Sequence, residues 1–126
     1  MNVVRTGIIL NTENYAECVS FYRTLFGLKV LFEQPDLTCF EYGGSYLMIE
    51  TEGCAVPGAK TMRQNSTKLR FNVASLEDAL EAIHAYGLDA ATTRHAWGST
   101  IDIHDPDGNR VGIRDDLTFK DQLSAG

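Results

Sequence analysis

The chain has 126 residues, 44% of them hydrophobic, with 11 basic against 17 acidic side chains and a net charge of −6. That length suits one domain, or two small modules that share a core. The acidic balance argues against nucleic acid as a partner, because phosphate binding calls for a basic face. No apolar run approaches the roughly 20 residues that cross a bilayer, so no membrane partner is expected. The N-terminal residues 1–6 lack the charged head, long apolar stretch and small-residue cleavage site of a secretory signal, which points to the cytoplasm. Cys18, Cys39 and Cys54 are odd in number and scattered, as reduced thiols would be.

Taken in order, residues 7–12 are a short apolar run that reads as a strand. Asn14 followed by Glu17 predicts a capped helix start, and Tyr15, Cys18, Val19, Tyr22, Leu25 and Phe26 recur at helical spacing. Gly27 is placed to end that helix in a left-handed conformation. Residues 28–34, 37–42 and 45–51 are strand candidates, broken at Pro35-Asp36 and Gly43-Gly44. Residues 52–66, with Gly53, Pro57 and Gly58, read as a linker.

The order then repeats. Residues 67–73 are a strand, Ser75 with Asp78 forms a capping box, and Leu76, Ala79, Leu80, Ile83 and Tyr86 line a helix closed by Gly87. Three further strands are predicted over 89–94, 98–104 and 109–114. The last two are joined by Asp105-Pro106-Asp107-Gly108, where Pro106 presets φ and Gly108 accepts a positive one. Gly27-Leu28 and Gly87-Leu88 lie about 60 residues apart, the mark of an internal repeat. Residues 116–126 read as a C-terminal tail, of which 119–126 carry no strong signal and read as frayed or loosely docked.

Residues 7–14, then Phe21-Tyr22 and Leu25-Phe26-Gly27-Leu28, together with the closing Asp105-Pro106-Asp107-Gly108-Asn109 turn, resemble the vicinal oxygen chelate superfamily. This is the glyoxalase, bleomycin resistance protein and dioxygenase family, and Trp97-Gly98 resembles its bleomycin-resistance branch, which uses no metal. The resemblance runs over about residues 4–115. It implies an α+β fold of two βαβββ modules, at 4–51 and 67–115, in one domain over 1–126. Their mixed sheets are expected to curl around a cavity.

The resemblance also says where a divalent ion would be held. The matching strand positions fall on Gly7, Glu50, Lys68 and Gly112. Glycine has no donor atom and lysine repels a cation, which leaves one carboxylate. His84, His95 and His104 do not replace the missing ligands, and no nucleophile–base pair stands in for the metal. No catalytic residue, metal or cofactor is therefore assigned.

Along each strand one alternating set is apolar and suits the face under the helices. If the sheets curl, the other set lines the cavity. From it, and from the loop before residue 98, the expected ligand-binding residues are Tyr46, Met48, Glu50, Lys68, Arg70, Trp97, Asp102, His104 and Arg114. Trp97 offers a stacking face. The lysine and arginines favour an anionic ligand, the carboxylates a cationic one, and the sequence leaves both open. The reading is a metal-free protein that binds a drug-like or aromatic small molecule, as antibiotic-sequestering proteins do. The alternative is a metal-dependent glyoxalase-like lyase or dioxygenase. Exposed sheet edges in each module predict a homodimer.

Overall fold

The structure is a computed structural model in which residues 1–125 are described. The first sheet holds β1 (Gly7–Asn11), β2 (Val30–Gln34), β3 (Leu37–Tyr42) and β4 (Ser45–Glu50) in the order β1-β4-β3-β2. The second holds β5 (Lys68–Val73), β6 (Thr92–His95), β7 (Gly98–His104) and β8 (Arg110–Asp115) in the order β5-β8-β7-β6. In each, one parallel pair (β1 with β4, β5 with β8) joins an antiparallel meander, so the two sheets are mixed, open and of one topology. This is the expected α+β fold of repeated βαβββ units. The chain divides into two compact units, one of residues 1–58 with 106–108, the other of residues 59–105 with 109–126.

In the first unit, α1 (Tyr15–Ser20) continues into a π-helical turn at Phe21–Leu25. Together they bury Cys18, Phe21 and Tyr22, and on the same side of the sheet β3 and β4 bury Phe40, Leu47 and Ile49. Burying a side chain of this size is worth roughly 1.5–3 kcal/mol. Tyr15 and Thr38 share a hydrogen bond of 2.7 Å across that packing. Gly27 has φ of +61° and ends the turn as expected, with Leu28 N–H donating to Tyr22 O at 3.3 Å. The helix start differs from the expectation. Asn14 makes no side-chain cap, and the carboxylate of Asp107 serves instead, accepting from Glu13 N–H at 2.7 Å and Asn14 N–H at 2.9 Å. The Asn14 amide also donates to Asp107 Oδ1. The two oxygens of Asp107 take the place of the local side-chain acceptor.

In the second unit, α2 (Leu76–Tyr86) starts as expected, with Ser75 Oγ accepting from Asp78 N–H at 3.1 Å. It closes in a Schellman arrangement at Gly87, φ +101°, with Leu88 N–H donating to Ile83 O and Gly87 N–H to His84 O. Ile83 packs with Leu69, Ile101, Ile103, Val111 and Ile113 as a second core. The turn after β7 is held by Asp105, whose carboxylate accepts from Asn109 N–H at 2.9 Å and Asn109 Nδ2–H at 2.8 Å.

The tail is a correction. Residues 116–125 form a third helix, α3 (Asp116–Ala125), while Gly126 lies outside the described residues. Its start is capped by Asp115, which accepts from Thr118 N–H and Thr118 Oγ1–H at 2.9 and 2.7 Å. The expectation missed it because Leu117, Phe119 and Leu123 make no continuous helical stripe. Leu117 and Leu123 are exposed.

Replacing the fully buried Asp107 by alanine would strip the start of α1 of its acceptor. A loss of about 2–4 kcal/mol is expected, the range for removing hydrogen bonds to a charged group and leaving donors unpaired. Urea denaturation with the slope held constant measures it.

Candidate functional site

Strand register sets out the open face of the first sheet in transverse rows. Gly7, Tyr46 and Glu41 form one, Ile9, Met48 and Cys39 the next, and Asn11, Glu50 and Leu37 a third. Above the first two rows lies a cavity of about 510 Å³, within the range of small-molecule pockets. Tyr46 and Met48 line it. Glu50 is on the same face one row further along and is not part of the lining.

The lining adds residues that the sequence reading left out: Leu31, Phe32, Cys39, Glu41, Lys29 and Arg5. Alternation along β3 could have found Cys39 and Glu41. It could not have found Leu31 and Phe32 together. A bulge between Val30 and Phe32 shifts the pairing by one residue, and the period of two fails there. Burial raises the pKa of the Cys39 thiol, so it stays protonated and is a wall group rather than a nucleophile. The cavity therefore offers an apolar surface with two cations and one carboxylate at its edges, and no nucleophile–base pair.

The remaining expected residues are in the second unit, all on strands except Trp97, which lies in the turn between β6 and β7. Lys68, Arg70, Asp102 and His104 share one face, with Gly112 at the centre of the row Arg70, Gly112, Asp102. Lys68 Nζ donates to Asp102 Oδ1 at 2.9 Å across Gly112. A Cβ on Gly112 would meet Lys68 Cδ at 3.1 Å and Asp102 Oδ1 at 3.4 Å, so the pair fills the space above that glycine. His104 is exposed beside Arg110.

Arg114 and Trp97 are drawn together in a different setting. Arg114 is 7% exposed, donates from Nη2 to Trp97 O at 2.9 Å, and lies 4.7 Å from the indole centroid and 5.3 Å from the Phe119 ring. His95 stacks on Trp97 at 4.5 Å and shares a hydrogen bond with Thr100 Oγ1. The guanidinium is thus built into the packing of α3 on its sheet. Asp115, next in the chain, is held down to a pKa of about 2. The cause is first the Ser99 N–H, then the Thr118 hydroxyl and N–H, with Arg114 adding a smaller favourable charge.

A divalent ion does not fit the strand positions that this fold would offer it. Gly7 has no donor, and the Tyr46 ring fills the space where a side chain would begin. Glu50 is a single carboxylate. Lys68 is a cation engaged with Asp102, and Gly112 again has no donor. Among the described residues no three His, Cys, Asp or Glu side chains converge.

Residues 4–113 match the family model described as the Glyoxalase/Bleomycin resistance protein/Dioxygenase superfamily, and the chain belongs to that superfamily. None of the curated proteins matches it. Among solved structures it is similar to a lactoylglutathione lyase from Agrobacterium tumefaciens. That likeness has a TM-score of 0.70 at 17% identity over 91% of this chain and 95% of the other. It is also similar to the genomically encoded fosfomycin resistance protein FosX from Listeria monocytogenes, with a TM-score of 0.73 at 17% identity over 91% and 94%. A putative glyoxalase from Bacillus halodurans gives a TM-score of 0.74 at 14% identity over 89% and 95%. At such identities the likeness is one of fold. No helix among the described residues is long and apolar enough to cross a membrane.

The lowered pKa of Asp115 has a consequence for stability. A carboxyl whose folded pKa is depressed stabilises the fold above its ordinary value of 3.8, and that contribution fades as pH falls toward about 2. Asp115→Asn should therefore be less stable than the parent at pH 7, by about 0.5–2 kcal/mol if it behaves as a lost helix cap. Thermal melts between pH 7 and 2 should show the two proteins converging at the acid end.

Proposed function

We propose that the chain is a metal-free binding protein of the glyoxalase/bleomycin resistance type. Its ligand is a small aromatic or drug-like molecule, seated on Tyr46 and Met48 in the cavity of the first sheet. The observation that carries this reading is the donor set. Of the four strand positions suited to a metal, two are glycines, one is a lysine paired with a carboxylate, and only Glu50 can ligate. The lining supports it too: Leu31, Phe32, Tyr46 and Met48 are apolar walls with a few polar groups around them. Glu50 is proposed to tune binding from the neighbouring row of the same face. Lys68, Arg70, Asp102, His104, Trp97 and Arg114 remain proposed ligand-binding residues of the second unit, considered by itself. In this reading the protein is cytoplasmic and sequesters its ligand, as an antibiotic-resistance protein of the binding type does.

The rival reading is a metal-dependent lyase or dioxygenase. The likeness in fold to a lactoylglutathione lyase speaks for it. The donor set speaks against it. Elemental analysis of protein purified without chelator separates them. Far less than one equivalent of zinc, nickel, iron or manganese is expected, with a small molecule retained in the native mass spectrum. Near-stoichiometric metal would overturn the binding reading.

We further propose a homodimer. The open edges of both sheets, and the half-exposed Ile9 on the first, are surfaces that a second copy would cover. Light scattering at micromolar concentration should give twice the 13.9 kDa chain mass, and the monomer mass would reject the dimer.

A further inference from the structure

Gly7 does not owe its place to backbone conformation, since its φ is not among the positive ones. It owes it to space. Gly7 and Tyr46 are partners in the parallel pairing of β1 and β4, and a Cβ on Gly7 would fall inside the envelope of Cζ, Cε1 and Cε2 of the tyrosine ring. The phenol thus leans over β1, at the edge of the sheet. The cavity opens on its other side, over Met48, Cys39 and Phe32. With any side chain at position 7 the ring would have to leave β1. The ring is itself one wall of the cavity, so the glycine fixes that wall in its place.

The charges at its rim do not cancel. Glu41 N–H donates to Lys29 O at 2.8 Å, which sets these two residues opposite each other as cross-strand neighbours of opposite sign. Arg5, two residues before Gly7, is then the excess charge. None of the three belongs to an ion pair among the described residues. In a chain of net charge −6 this is a local positive rim beside an apolar wall, and what complements it is an anion.

We infer that the open face of the first sheet beside Gly7 binds a flat, apolar organic anion, its ring system against Tyr46, Met48 and Phe32 and its carboxylate or sulfonate on Arg5. This rests on the ligand-binding reading and adds the sign and shape of the ligand to it.

The test compares two probes of one shape and opposite charge, naphthoate and naphthylmethylammonium, by calorimetry on the intact protein. Naphthoate is expected to bind at least about tenfold more tightly. Arg5→Gln should weaken it by about fivefold or more and Glu41→Gln should tighten it, as expected for a charge-assisted contact. Gly7→Ala should lose both probes. Should Gly7→Ala fail to fold, the double variant Gly7→Ala/Tyr46→Ala, which removes the ring, should fold.

Preference for the cation, or indifference of naphthoate to Arg5→Gln, overturns the charge assignment and leaves the ligand-binding reading standing. A folded Gly7→Ala that binds as the parent does, or a double variant that is no better folded than the single one, overturns the role of Gly7. If neither probe binds, the inference fails. The native mass spectrum then decides the ligand-binding reading separately.

Discussion

The carboxylate of Asp107 is fully buried and spends its acceptor capacity on the first turn of α1. A helix of six residues followed by a π-helical turn is too short to be stable alone. It holds because its start is capped by charge and its Cys18, Phe21 and Tyr22 are packed away from water. That docking decides which face of the first sheet is the core. Phe40, Leu47 and Ile49 are thereby committed to the helix side. Strand alternation then commits Cys39, Tyr46 and Met48 to the other. The cavity is the residue of that commitment: a sheet has two faces, and one short helix covers one of them.

Most of the fold was legible in the sequence because period and turn chemistry are local. Ser75 with Asp78, the glycines at 27 and 87, and the alternation of residues 98–104 and 110–114 each act on neighbours a few residues away. What was not legible depends on partners far along the chain. Asp107 is more than ninety residues from the helix it caps, so the local pair Asn14 and Glu17 looked sufficient. The third helix is held by Asp115, the Phe119–Arg114 contact and the Asn72–Asp116 hydrogen bond rather than by an apolar stripe, and a stripe is what a sequence displays.

The site was legible only in part, for the same reason. Tyr46 and Met48 follow from alternation on β4. Leu31 and Phe32 lie at a bulge, where alternation stops being informative. Arg114 was read as a ligand contact from strand alternation and Trp97 from its place in the loop before Gly98. Their contacts with Phe119 and His95 come from side chains whose placement no spacing rule contains. The ambiguity of charge has a physical source too: the sequence allows the basic residues either to meet a ligand or to pair with the carboxylates, and Lys68 pairs with Asp102.

The two sheets share a topology and differ in what fills the open face. On the second, the space above Gly112 is taken by Lys68 and Asp102, and the end of β8 lies under Phe119 and Trp97. On the first, the space above Gly7 is taken by a ring that leans to the edge of the sheet and leaves the middle free. A glycine therefore means different things in the two repeats. At 112 it admits a salt bridge across the face. At 7 it admits an aromatic ring. One residue type at matching positions of the two repeats thus gives two different surfaces, set by the side chain that occupies the space above it.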